Sequence, residues 1–229
     1  MNRRLNCIAD HVALGTGLID VGTDHGYLPL ELIRRHYPGK LYASDINPGP
    51  LNAARHSAEA AGLSDRIGFL LCDGLDACPP DRIDTIVIAG MGGDTICGIL
   101  DRAEWCMDSR YSLVLQPMTR AEVLRYWLIY NEFEITAEDL VEDSGILYSV
   151  LTARYGGHTC LKDAELYTGS YSMLRDHALF SAFLNGQIQR FERALQGLRA
   201  SEKCNENGRI EILSQILKQL EEMKHDGNS

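Results

Sequence analysis

Through its first two thirds the chain alternates short apolar, β-branched runs with segments of helical length, and this rhythm restricts the fold more than any other feature. Residues 17–22 (GLIDVG), 40–45 (KLYASD), 67–73 (IGFLLCD), 84–90 (DTIVIAG) and 111–117 (YSLVLQP) read as buried parallel strands. Between them, residues 28–37, 48–61, 93–102 and 119–130 have helical length. Strands joined in series through helices must cross over in parallel, so the pattern predicts an α/β doubly wound sheet with helices on both faces. After the fifth strand the rhythm breaks. Residues 133–155 give two β-like runs joined by EDSG, with no room for a crossover helix, so this last pair is expected to be antiparallel.

YGGH at 155–158 marks a boundary, which divides the chain into a domain of residues 1–157 and an appendage of residues 158–229. In the appendage Ile188, Phe191, Leu195 and Leu198 recur at helical spacing, and Ile210, Leu213, Leu217 and Leu220 repeat it after the breaker NENG at 205–208. Two such seams predict a coiled-coil-like helical hairpin. The tail KHDGNS is expected to fray.

At 229 residues the chain can bury a large core without staples. No apolar run approaches the roughly 18 residues that span a bilayer, and the arginines in MNRRLNCIAD precede no long apolar stretch, so a cytoplasmic protein is expected. The seven cysteines are odd in number and form no C-x-x-C pair, which argues against a disulfide framework or a zinc site; no metal is expected. The net charge of -10 disfavours a surface that binds nucleic acid everywhere, yet it is uneven. The first 157 residues hold 13 Lys and Arg against 22 Asp and Glu, and the remainder 9 against 10.

In an open α/β sheet, ligands bind beyond the carboxyl ends of the strands, and here those ends carry unusual residues. The first strand ends in DVGTDHG, with Asp20, Gly22 and Gly26 spaced D-x-G-x-x-x-G. Small residues there let a methionine-like moiety pass the backbone, and polar ones meet its charges; without a pyrophosphate to cradle, the full G-x-G-x-x-G is not required. Asp45 ends the second strand, where a carboxylate accepts hydrogen bonds from the ribose hydroxyls of an adenosine; Asp45 or Asn47 can also cap the next helix. Asp73 and Gly74 follow the third strand as partners for an adenine, with helix capping again the plain alternative. AGMGG at 89–93 would let a flat group approach the backbone beside Met91, with close helix packing the plain alternative, and Gln116 at the fifth strand end is a candidate reader of a base edge across the cleft, or simply a solvated strand end.

Taken in order, DVGTDHGYLP, ASDINPGPL, DTIVIAGMGG, LVLQPM and EDSGILYSVLTARY resemble the bacterial tRNA (adenine-22-N1)-methyltransferase family, TrmK, over about residues 4–155, and the helical hairpin resembles that family's coiled-coil appendage. The resemblance implies a Rossmann-like class I methyltransferase with a seven-stranded, mostly parallel sheet. Its methyl donor would be S-adenosylmethionine and its substrate tRNA, with no membrane and no obligate protein partner. By that resemblance Asp20, Gly22, Asp24, His25 and Gly26 form the donor loop. Asp45, Ile46 and Asn47 hold the ribose, Asp73 and Gly74 face the adenine, and Ala89, Gly90, Met91 and Gly92 line the passage to the target base. Gly26 stands where the family commonly has alanine.

The reaction implied is methylation of N1 of adenine 22 in the tRNA D-loop, with Asp24 as electrostatic stabiliser or proton acceptor and His25 and Tyr27 shaping the target pocket. Tyr27, Met91 and Met118 are candidate walls for an unstacked base. Arg3, Arg4, Arg34, Arg35, Arg120, Arg125, Arg190, Arg193 and Arg199 are candidate phosphate contacts. The rival readings are the same fold acting on another RNA or a small molecule, and a noncatalytic donor-binding module. An NAD-dependent oxidoreductase is disfavoured by the glycine spacing and the terminal antiparallel hairpin.

Overall fold

A computed structural model of the chain describes residues 3–200 and 207–226. It divides by packing into two compact units, Met1–Thr159 and Cys160–Ser229. Residues 157–159 stay with the sheet for a local reason. Thr159 Oγ1 accepts the Ile135 N–H at 2.7 Å, and Gly157 lies so close to Glu134 that a Cβ there would collide with it.

The first unit begins with α1 (Arg3–Asp10). It continues through β1 (Gly17–Val21), α2 (Tyr27–Arg34), β2 (Lys40–Asp45), α3 (Pro48–Ala60), β3 (Ile67–Leu71), β4 (Thr85–Gly92), α4 (Gly93–Arg102), β5 (Ser112–Thr119), α5 (Ala121–Tyr130), β6 (Phe133–Asp143) and β7 (Ile146–Tyr155). The seven strands form one sheet in the order β3-β2-β1-β4-β5-β7-β6. The first five are mutually parallel, and β7 runs antiparallel between β5 and β6. Every residue of β1 is buried, as are the first six of β5, because helices cover both faces; β6, at the sheet edge, mixes buried and exposed positions. Leu18, Leu41, Val87, Val114 and Val150 join Ile8 and Ala9 of α1 in the principal core.

α1 is an element that the apolar periodicity did not announce. Cys7, Ile8 and Ala9 bury one face of this two-turn helix, which packs against β5, β6 and β7. Arg125, read as a phosphate contact, is instead enclosed on α5, where its Nε donates to Glu138 Oε1 of β6 at 2.6 Å, both side chains without solvent exposure. An arginine so placed does not reach a phosphate.

The second unit holds α6 (Asp163–Thr168), α7 (Tyr171–Leu174), α8 (Phe180–Ala200) and α9 (Asn207–Asp226). On α8 the expected row is buried at Ile188, Phe191 and Leu195, with Leu198 half-buried. On α9 the row is rotated: Ile216, Leu220 and Met223 are buried, whereas Ile210, Leu213 and Leu217 are only half-buried. The cause is α6, which packs on α9 as well as α8, its Ala164 N–H donating to Gln219 Oε1 at 3.0 Å. The first half of NENG and the end of KHDGNS lie outside the described residues.

Candidate active site

The carboxyl ends of β1, β2, β3 and β4 enclose a cavity of about 380 Å³. Its walls include Gly22, Asp45, Ile46, Asn47, Asp73, Gly74, Ala89, Gly90 and Met91 from the sequence-predicted set. Val21, Ser44, Cys72, Thr95 and Ile99 complete it. Of these, Thr95 and Ile99 stand one turn apart on α4, a spacing that a helix beginning at Gly93 makes legible in the sequence.

Two of the strand-end motifs touch. Gly22 has φ +72°, and a Cβ on it would collide with Met91 Cε, so the first loop accommodates the methionine of the fourth only through this glycine. Gly90 is a bulge: Ala89 pairs with Gln116 and Met91 with Pro117, which leaves Gly90 without a partner in the register at φ +79°. The bulge turns Met91 into the cavity wall.

Asp45 is fixed at the cavity by a local turn, its Oδ1 accepting the Asn47 N–H at 2.8 Å. Neither Asp45 nor Asn47 caps α3 through its side chain, which frees the aspartate from the plain alternative role. Ile46 beside it is 60% exposed, a large apolar side chain presented at the rim. Asp73 Oδ1 accepts from Arg102 Nη2 at 2.9 Å, an ion pair between half-exposed side chains.

Asp20 lies behind the cavity wall, 5% exposed, with Thr23 Oγ1 donating to its Oδ2 at 2.6 Å. Burial pushes its carboxyl up to about 6; the Thr23 hydrogen bond opposes that shift and the nearby Asp45 charge adds to it. Because the folded-state value exceeds the ordinary 3.8, the stabilising effect is complete below pH 3.8 and lost as pH rises through about 6. Above that pH the buried charge costs the fold roughly 3 kcal/mol. Asp20→Asn should therefore be more stable than the parent at pH 8 by up to that amount, with the gap closing toward pH 4. Urea midpoints measured across this range check it, and equal midpoints at pH 8 would contradict it.

Asp24 and His25 of the expected donor loop, with Tyr27, form an exposed group outside the cavity walls. Asp24 adopts a left-handed conformation at φ 51°, uncommon for a residue with a side chain. Its Oδ1 lies 3.7 Å from His25 Nε2, and the imidazole stacks on Tyr27 with ring centroids 5.3 Å apart. Gly26, at φ +71°, packs against Ala54 of α3.

Gln116 does not face the cleft as a base reader. It is fully buried, its Oε1 accepting from Arg4 Nη1 at 2.5 Å and from Gly90 N at 3.2 Å, while Nε2 donates to the Pro117 carbonyl. Its role is to latch the Gly90 bulge to α1. Arg4, also stacked over Tyr148 at 5.9 Å, is thereby engaged inside the protein. Arg3, Met118 and Arg120 are exposed, and Arg120 pairs with Asp94 at 3.2 Å.

The family model described as tRNA (adenine(22)-N(1))-methyltransferase matches residues 18–222. A Bacillus subtilis protein of the same description is 26% identical over 230 residues, 95% of this chain and 97% of that one. The crystal structure of the B. subtilis M1A22 tRNA methyltransferase TrmK superposes with a TM-score of 0.88 at 26% identity, covering 98% of each chain. A Streptococcus pneumoniae putative tRNA (m1A22) methyltransferase, solved in complex with S-adenosyl-L-methionine, gives 0.83 at 30% identity over 97% of this chain and 98% of that one. With the strand-end cavity, the Gly90 bulge and the terminal antiparallel strands, these matches place the chain in the tRNA (adenine(22)-N(1))-methyltransferase family.

Proposed function

We infer that this chain transfers the methyl group of S-adenosylmethionine to N1 of adenine 22 in tRNA, with the donor held in the strand-end cavity. The observation that carries this reading is the meeting of Gly22, Asp45, Gly74 and Met91 around one cavity in a chain of this family. The donor supplies a methyl already activated on a sulfonium, and the in-plane lone pair of adenine N1 forms the new N–C bond as the S–C bond breaks. The work left to the side chains is placement, desolvation and charge.

Asp45 accepts the ribose hydroxyls, and Ile46 and Ile99 give the adenine ring apolar flanks. Asp73 shares its carboxylate between Arg102 and the adenine amino group. The carboxylates of Asp20 and Asp45 favour a cationic donor, whose charge offsets the cost of burying Asp20. Met91 stands between donor and target, and the His25 and Tyr27 stack extends an aromatic face on which an unstacked adenine can lie. The ring becomes positive as N1 is methylated, and the Asp24 carboxylate relieves that charge. Exposed Arg3 and Arg120 are candidate phosphate contacts.

Asp24→Asn should bind donor and tRNA as the parent does yet turn over at least about tenfold more slowly, equivalent to about 1.4 kcal/mol of barrier. Single-turnover methyl transfer at saturating tRNA tests this. An unchanged rate would remove Asp24 from the chemistry without touching the donor site.

A further inference from the structure

Away from the strand-end cavity, α1 and β6 bring together three side chains that can ligate a metal. Cys7 and His11 are four residues apart, and the His11 N–H still donates to the Cys7 carbonyl, so both side chains leave the same helical face. Asp139 of β6 meets them: Cys7 Sγ and His11 Nε2 each lie 3.6 Å from Asp139 Oδ2, and the three atoms lie within 4.8 Å of one another. Donor atoms around a tetrahedral zinc ion, at bond lengths of about 2.0 to 2.3 Å, stand roughly 3.3 to 3.7 Å apart. Two of the three separations already have that value.

The atoms behind the cluster are also held. His11 Nδ1 sits 2.9 Å from Thr152 Oγ1; with Nδ1–H donating to that hydroxyl, Nε2 turns its lone pair toward Asp139. Asp139 Oδ1 accepts the Leu140 N–H at 2.7 Å, which leaves Oδ2 as the oxygen facing Cys7 and His11. Hydrogen bonds of this kind orient ligands in metal sites. Cys7 is 9% exposed and the His11 side chain 12%, while that of Asp139 is 37% exposed, so the cluster is enclosed but reachable from solvent.

We propose that Cys7, His11 and Asp139 bind a zinc-class divalent cation, with solvent as the fourth ligand, and that this cation anchors α1 to β6. Binding breaks the Cys7 S–H bond, releases the proton to solvent and forms a metal–thiolate bond, with no change of oxidation state. A cation between sulfur and carboxylate neutralises both ligands. The consequence reaches the other site, since Arg4 on the same helix supports Gln116 and through it the Gly90 bulge.

The test is a titration of untagged, chelator-stripped, full-length protein with Co²⁺, read by absorption. The expected result is one equivalent bound with thiolate-to-cobalt charge-transfer absorption, displaced by Zn²⁺ and absent from Cys7→Ser. Thr152→Val should keep the absorption and weaken binding about 10- to 100-fold. Folded wild-type protein without thiolate-to-cobalt absorption would overturn the proposal, whatever the variants do. Absorption that survives in a folded Cys7→Ser protein would overturn it too, by assigning the cobalt to another cysteine.

Discussion

Asp45→Ala is expected to weaken S-adenosylmethionine binding by about 100-fold, the loss of two hydrogen bonds to a carboxylate at about 1.5 kcal/mol each. The carboxylate sits at the end of β2 on the cavity wall and is half-buried. Its hydrogen bond among the described residues is the turn to Asn47 N, so the substitution should leave the protein folded. Asp45→Asn retains one acceptor oxygen and should fall between the two. Isothermal titration with the donor measures all three proteins. A loss below threefold in a folded Asp45→Ala protein would mean that the ribose lies elsewhere.

Arg125→Met should cost about 3 to 5 kcal/mol, because it strands the Glu138 carboxylate in a site without solvent. For a chain of this length that lowers the melting temperature by roughly 10 °C. Arg125→Met combined with Glu138→Leu removes both charges, and most of the loss should return. Thermal melts of the single and double variants check this. Equal destabilisation in both would show that packing around the guanidinium matters more than the pair.

The sheet was legible because its signal is local. Each parallel strand is a short apolar run between helix-length segments, and the hairpin announces itself through a turn too short for a crossover. The strand-end residues were legible for a similar reason: topology alone sends Gly22, Asp45, Gly74 and Met91 to one edge of the sheet. What sequence reasoning missed depends on contacts between distant segments. Gln116 reads as a polar strand end until Arg4, 112 positions away, and Gly90 are seen to occupy its amide oxygen. Arg125 is indistinguishable in sequence from a solvated arginine, since only the fold places Glu138 against it. The cluster of Cys7, His11 and Asp139 is likewise invisible to a search for C-x-x-C, because Asp139 comes from a strand more than a hundred residues on. The rotated face of α9 likewise depends on α6, which supplies a second partner that a two-helix seam does not foresee.

Position-resolved analysis of a tRNA transcript tests the identity of the methylated atom most directly. Purified protein, S-adenosylmethionine and an unmodified tRNA with adenine at position 22 should yield N1-methyladenosine at that position by mass spectrometry of nuclease fragments. The same tRNA with guanosine at 22 should take up no methyl group. Methylation at another nucleotide, or equal methylation of the two transcripts, would contradict the account.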